Sequence, residues 1–270
     1  MSTTQVATYP VVNFAVIGDS AAYGTGDQAA DGSFRGWAYY LAESFQWEVN
    51  YLNYARPGAQ SIEVATTQLE LVRGLEPDIC AVIAGGNDLL RNGFDPKVLY
   101  ANLRKTCDEL MAKGTEVIMF ELHDPNRLLR IPRLLKRVLR RRVEAVNAVY
   151  QQIAGELDIV LVKTREIPNV HDLRNWHIDR MHPGPYGHNL LAKEMAQILK
   201  DRGWAIELPK LPDYVESSKR KKLIWLLCNG TPWFLKRSVD LVPVAVYLMV
   251  LEVLKIAFGG IKELERRIRR

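Results

Sequence analysis

Five short apolar segments alternate with stretches of helical spacing along most of this chain, and this alternation limits its fold more than any other feature. The apolar segments are rich in β-branched residues, as buried strands are, and they cover residues 11–17, 48–53, 79–84, 116–121 and 158–162. Apolar residues at three- and four-residue spacing predict helices at 35–45, from residue 61, and at 96–111, 133–155 and 186–200. Because parallel strands need crossover connections, this order predicts an α/β fold, a parallel sheet covered by helices on both faces.

The first predicted strand ends in Gly18-Asp19-Ser20, within a loop that also contains Gly24 and Gly26. In open α/β sheets, ligands bind at the carboxyl edge of the strands. A serine hydroxyl at that edge is a candidate nucleophile. Asp and Ser are also common at helix N-termini, so these two residues could simply cap the next helix.

Later loops supply the other groups that acyl transfer by a serine requires. Such a reaction needs a base for the hydroxyl proton, a carboxylate to orient that base, and hydrogen-bond donors for the oxyanion. His182 and Asp179 can fill the first two roles, and Gly58 and Asn87 the last. Each also has a structural explanation: a turn at Gly58, a helix cap at Asn87, and a surface ion pair between Asp179 and His182.

Four blocks of the sequence resemble those of the SGNH, or GDSL-type, serine hydrolases. In family order, they are Gly18-Asp19-Ser20, Asn53-x-Ala55-x-x-Gly58, Gly85-x-Asn87-Asp88 and Asp179-x-x-His182-Pro183. The resemblance covers residues 11 to 200. It implies a flavodoxin-like three-layer sandwich and ester hydrolysis through an acyl-enzyme. Ala21 departs from the leucine in the family's name, at a packing position.

The resemblance also assigns roles to individual residues. It implies that Ser20 is the nucleophile, His182 the base and Asp179 the residue that orients the base. The backbone amides of Ser20 and Gly58 and the side-chain amide of Asn87 would form the oxyanion hole. Asp19 is expected to hold the loop by hydrogen bonds.

The substrate stays open, because the resembling family includes lipases, lysophospholipases, thioesterases and carbohydrate deacetylases. Two alternatives to hydrolysis are an acyltransferase on the same three residues and a non-catalytic, membrane-associated binding protein. No cofactor or metal is expected, because the sequence lacks a His-Glu-x-x-His motif, a zinc-type cysteine set and a complete phosphate-binding glycine loop. The remaining histidines are interpreted as structural, with the one at position 123 near the pocket rim; these are His123, His171, His177 and His188.

Basic residues are concentrated in two segments of the chain, whose formal net charge is +5. Residues 127–142 contain eight Lys and Arg and no acid, interleaved with Leu, Ile and Val. This segment is either a solvated helix face or a surface for an anionic membrane. Nucleic acid is not an expected partner, because the segment has no aromatic residues for base stacking.

The second basic segment leads us to divide the chain into a hydrolase domain, 1–209, and a helical extension, 210–270. The extension carries 13 basic and 6 acidic residues, whereas the domain carries 23 and 25. Its basic run 219–222, aromatic segment 223–234 and arginine-rich end 266–270 favour an interfacial helix on an anionic leaflet. A helix packed on the body or on another subunit is the alternative.

Two observations bear on location. Pro243, Glu252 and Lys255 interrupt the apolar stretch that begins at residue 241, so a membrane span is not expected. Three cysteines without paired spacing, and a polar N-terminus without a basic region, predict a cytoplasmic protein, with peripheral membrane association through the extension as a further hypothesis. The oligomeric state stays open.

Overall fold

The computed structural model describes residues 11–211, 220, 224, 227, 243–254, 256 and 258. The predictions for the N-terminal residues 1–10 and for the arginine-rich end 266–270 lie outside these residues. So do those for the segments 219–222 and 223–234, apart from three isolated positions.

Five parallel strands form one sheet with the order β2-β1-β3-β4-β5. The strands are β1 (Val12–Gly18), β2 (Val49–Asn53), β3 (Ile79–Ile83), β4 (Glu116–Phe120) and β5 (Val160–Val162). All four strand pairs are parallel. This order is that of flavodoxin-like sheets. The predicted fold class is confirmed, and each predicted strand lies within two residues of its observed bounds.

Helices follow the strands as the sequence predicts. They are α1 (Ser20–Tyr23), α2 (Gly36–Ala42), α3 (Ser61–Glu63), α4 (Leu69–Arg73), α5 (Pro96–Met111), α6 (Arg133–Glu156) and α7 (Pro185–Asp201). A π-helical segment, Val64–Gln68, joins α3 to α4, and single 3-10 turns lie at Asp88–Leu90, Pro125–Arg127, Thr164–Glu166 and Leu173–Asn175. Residues 243–254 form a further helix, α8.

The strands divide their side chains between two apolar cores. Phe14 and Val16 of β1 pack with α2 and α7, whereas the alternate residues Ala15 and Ile17 pack with α5 and α6 on the opposite face. Every residue of β3 is buried. The sheet is therefore covered on both faces, as its apolar strands predict.

Helix α6 is longer than the strands it packs against, and its first half extends beyond the carboxyl edge of the sheet. Asn147 forms two hydrogen bonds with the backbone of Leu122, just after β4, and the Tyr150 hydroxyl donates to the carbonyl of Ala84, just after β3. These contacts fix Asn147 and Tyr150 at the level of the strand ends. At 1.5 Å per residue, the turns before Asn147 project about 20 Å past that edge.

The chain after α7 returns to the body before the described stretch ends at Leu211. Ile206 bridges Phe45, and the backbone amide of Glu207 donates to the carbonyl of Ser44 at 2.8 Å. The division at residue 209 stays a prediction. Among the described helices, none has the length and apolar character needed to cross a bilayer.

Candidate active site

Glycine is required where β1 turns into the first loop. Gly18 has φ of +148°, and a Cβ atom there would lie 2.2 Å from the carbonyl oxygen of Ile83 in β3. The turn makes Asp19 the N-cap of α1, where its carboxylate accepts the Ala21 amide at 2.9 Å. Asp19 thus holds the loop by a hydrogen bond, as expected, and Ser20 begins the short helix.

The structure brings Ser20, His182 and Asp179 into one hydrogen-bonded chain. His182 Nε2 lies 2.8 Å from Ser20 Oγ, although 162 positions separate the two residues. His182 Nδ1 lies 2.8 Å from Asp179 Oδ2. The other carboxylate oxygen of Asp179 accepts the backbone amides of Met181 and His182, at 2.8 and 3.0 Å. The three-residue spacing therefore lets one turn orient the carboxylate toward the imidazole.

A second imidazole, that of His177, also contacts Asp179. His177 Nδ1 lies 3.1 Å from Asp179 Oδ2, and the His177 amide donates to the carbonyl of His182 at 2.9 Å. Burial opposes the charge on Asp179, but hydrogen bonds with His177 and His182 hold its pKa well below the usual range. The interpretation of His177 as a merely structural histidine misses this contact, for which its place two residues before Asp179 is the available signal.

The glycine-rich loop lies directly against the loop that carries His182. Gly26 has φ of +104°, and a Cβ atom there would lie 2.1 Å from the Pro183 carbonyl oxygen. His188, at the start of α7, connects this helix to α2 and to the glycine-rich loop. Its Nδ1 accepts the Trp37 amide and its Nε2 lies 3.1 Å from the Thr25 carbonyl oxygen. Burial lowers the pKa of His188 to about 4. This neutral, buried histidine has the structural role we expected.

The loops that carry the two other predicted oxyanion donors, Gly58 and Asn87, meet near Asp19. Asn87 Nδ2 donates to the carbonyl of Ala59, next to Gly58, at 3.1 Å and lies 3.4 Å from Asp19 Oδ2. Gly58 has φ of +88°. Asp88 adds a second link between these loops, because its carboxylate accepts the backbone amide of Ser61, at the start of α3, at 3.0 Å. Asn87 thus connects the loops after β1, β2 and β3.

A cluster of aromatic rings borders the His182 loop. The ring of His123 lies 4.1 Å from that of Trp176, and Trp176 forms a backbone bridge with Pro183. Burial lowers the pKa of His123 to about 3, and its Nε2 has no hydrogen-bond partner among the described residues. Its predicted place at the pocket rim stays a prediction.

Comparison with known families decides the class of this protein. The sequence model of the GDSL-like lipase/acylhydrolase family matches residues 16–190. This chain belongs to that family. The resemblance inferred from the four blocks is confirmed, and the GDSL-like chain is a carboxylic ester hydrolase. No curated protein sequence matches it.

Solved structures share the fold of this GDSL-like hydrolase. TesA matches with 22% identity and a TM-score of 0.54, over 70% of this chain and 98% of TesA. The acetylxylan esterase Axe2 from Geobacillus stearothermophilus matches with 20% identity and a TM-score of 0.55, over 74% and 97%. The lipase Lip_vut3 from a goat rumen metagenome matches with 16% identity and a TM-score of 0.56, over 72% and 98%. At these identities the likeness establishes the fold alone.

The cap of α1 gives the GDSL-like hydrolase a pH-dependent stability. Asp19 is 6% exposed, and burial raises its pKa to about 6. Between about pH 4 and pH 6 the unfolded chain has lost a proton that the folded protein keeps, so stability falls as pH rises through this window. Asp19→Asn keeps the cap without the charge. We expect it to raise the unfolding free energy by about 3 kcal/mol at pH 8 and to change it little at pH 4.

Urea unfolding of both proteins from pH 4 to pH 8 tests this prediction. Asp95→Asn is the matched control, because exposed Asp95 caps α5 through the same contact with the amide two residues later. A difference between Asp19→Asn and the unmodified protein that stays constant over this pH range would contradict the prediction.

Proposed function

We propose that this protein hydrolyses carboxylic esters through an acyl-enzyme on Ser20, with His182 as base and Asp179 as its orienting partner. The observation that carries the proposal is the hydrogen-bonded chain from Ser20 Oγ through His182 to Asp179, with both links at 2.8 Å. Nucleophile, base and orienter within such reach are the arrangement that activates a serine hydroxyl.

Proton transfer by His182 links the two halves of the reaction. As Ser20 Oγ bonds to the ester carbonyl carbon, His182 Nε2 takes the hydroxyl proton. The bond between that carbon and the alcohol oxygen then breaks, and the imidazolium donates the proton to the leaving alcohol. A water molecule next attacks the acyl-enzyme, again with His182 as base, and releases the carboxylic acid and the free Ser20 hydroxyl.

Asp179 keeps the imidazole in the tautomer that this sequence requires. Its carboxylate accepts from His182 Nδ1, which leaves the Nε2 lone pair available for the Ser20 proton. The lowered pKa of Asp179 keeps the carboxylate ionised, so it also stabilises the imidazolium. The contact with His177 supports the same charge.

Three donors would stabilise the tetrahedral oxyanion: the backbone amides of Ser20 and Gly58 and the side-chain amide of Asn87. The Ser20 amide belongs to the first turn of α1, where amides have no partner within the helix. The contact of Asn87 with the Gly58 loop supports a shared position for the other two donors. Such donors act on charge that develops only in the transition state.

Labelling with a fluorophosphonate, which modifies activated serines, tests the proposal directly. We expect the intact protein to be labelled at Ser20 and Ser20→Ala to stay unlabelled. Ser33→Ala is the matched control, because the Ser33 hydroxyl lies on an exposed loop and donates to Asp31. Labelling that persists in Ser20→Ala, or fails in the intact protein, would contradict the assignment.

A p-nitrophenyl ester series from acetate to palmitate would then define the acyl group, which is small or lipid-linked in our proposal. The same assays with added alcohols separate hydrolysis from acyl transfer, because a transferase forms a new ester and a hydrolase forms the free acid.

A further inference from the structure

The inner face of α8 contacts α6 through an ion pair in which the carboxylate is buried and the arginines are exposed. Glu252 is 3% exposed, its Oε1 lies 3.0 Å from Arg141 Nη1, and Arg137 Nη1 is 3.7 Å away. Leu248 and Leu251 line a small cavity against Val138 of α6. Burial of a carboxylate requires such partners. The acidic residue of α8 therefore points toward the body and away from solvent.

The outer face of α8 is a continuous apolar stripe. Its members are between 44% and 52% exposed and recur at helical spacing: Val246, Tyr247, Val250, Val253 and Leu254. From residue 243 to residue 251 the sequence has no charged side chain. An exposed apolar surface that is this regular indicates a binding surface.

Arg137, which approaches Glu252 of α8, is one of several exposed arginines of α6. Arg133 and Arg140 are exposed and lie one turn on either side of Arg137, so all three share one flank of α6. The nearest acid along α6 is Glu144, a turn beyond Arg140. We propose that α8, with Arg133, Arg137 and Arg140, forms a surface that binds an anionic lipid bilayer. The apolar stripe enters the interface, and the arginines meet the lipid phosphates.

This docking surface lies toward the same end of the molecule as the candidate active site. The arginines belong to the part of α6 that projects beyond the carboxyl edge of the sheet, where Ser20, Asn87 and His182 also lie. Docking would bring that edge to the lipid. The docking itself does not depend on the proposed function, because it uses none of the residues assigned to hydrolysis.

Co-sedimentation of the full chain with vesicles tests the proposal. We expect binding to phosphatidylcholine vesicles with 30% phosphatidylserine, weaker binding at high salt, and little binding to phosphatidylcholine alone. Arg133→Glu/Arg140→Glu should weaken binding at least tenfold, since each basic residue near an anionic surface contributes about fivefold. Lys97→Glu/Lys200→Glu makes the same charge change at exposed positions elsewhere and should bind like the unmodified protein.

A second variant and its control test the apolar contribution of α8 to vesicle binding. Val246→Ser/Val250→Ser/Val253→Ser should also lose at least tenfold in binding, at low and high salt. The control changes three residues of similar exposure on α3, α4 and α5, namely Ile62→Ser/Leu71→Ser/Val98→Ser. If the α8 variant fails to fold, as judged by circular dichroism, the arginine variant alone decides.

Two results would overturn the proposal. One is equal vesicle binding by the surface variants and their controls. The other is failure of the unmodified protein to bind the anionic vesicles at low salt. If light scattering then finds a dimer that the α8 substitutions dissociate, the α8 surface binds a second copy of the chain and not lipid. Ser20→Ala should bind vesicles normally, so failure of the proposed hydrolysis would stay distinguishable from failure of docking.

Discussion

Ser20→Ala and His182→Ala are each expected to lower kcat by roughly 10⁶, and the double variant should lose no more than either single one. Without Oγ no acyl-enzyme forms, and without the imidazole the hydroxyl keeps its proton. Either change therefore stops the same step. Asp179→Asn should retain more activity than both, because an imidazole without its carboxylate can still accept a proton. Steady-state hydrolysis of p-nitrophenyl butyrate by the purified variants measures these effects.

The fold should survive these three substitutions, since each removes part of a solvent-accessible site and leaves both cores intact. Thermal unfolding and circular dichroism provide that control, and Ser33→Ala should hydrolyse the ester normally. A Ser20→Ala protein that works at the rate of the unmodified protein would show that the nucleophile is wrongly assigned. Additive losses in the double variant would show that Ser20 and His182 act in separate steps.

Asn87→Ala is expected to lower kcat by about 10²–10³ with little change in KM. In the proposed site its amide meets the oxyanion, whose charge develops after substrate has bound. The loss should therefore fall on the transition state and not on substrate binding. Measurement of kcat and KM separately, with the same ester, distinguishes these two effects.

Asn87 also donates to the carbonyl of Ala59, so part of its effect could come from the position of the Gly58 loop. Asn102→Ala controls for this. Asn102 Nδ2 donates to the Ser61 hydroxyl at 3.0 Å, in the network through which Asp88 holds the same loop. We expect this control to keep kcat within a few-fold of the unmodified value. A loss in Asn87→Ala confined to KM would instead assign Asn87 to substrate binding.

The sequence alone predicted the secondary structure closely, because its signals are local. The predicted bounds of α5, 96–111, match Pro96–Met111, where Asp95 supplies the N-cap and Pro96 the first turn. Strand β3 was recognisable from an apolar run that is buried on both sides. Ser20, Asp179 and His182 are predicted as site residues because short blocks carry them in a fixed order. For Asp179 and His182 the orienting contact is itself local, within one turn.

Only the tertiary structure decided which distant groups meet. The sheet order places β1 between β2 and β3, so the loops that carry Ser20, Gly58 and Asn87 become neighbours. The contact of His177 with Asp179 depends on a backbone pairing between the two ends of an irregular loop. The inward turn of Glu252 depends on arginines more than a hundred positions away. The periodicity of a sequence predicts which face of a helix is apolar. Only tertiary packing determines whether that face points to the core or to the outside, and in α8 an apolar face points outward.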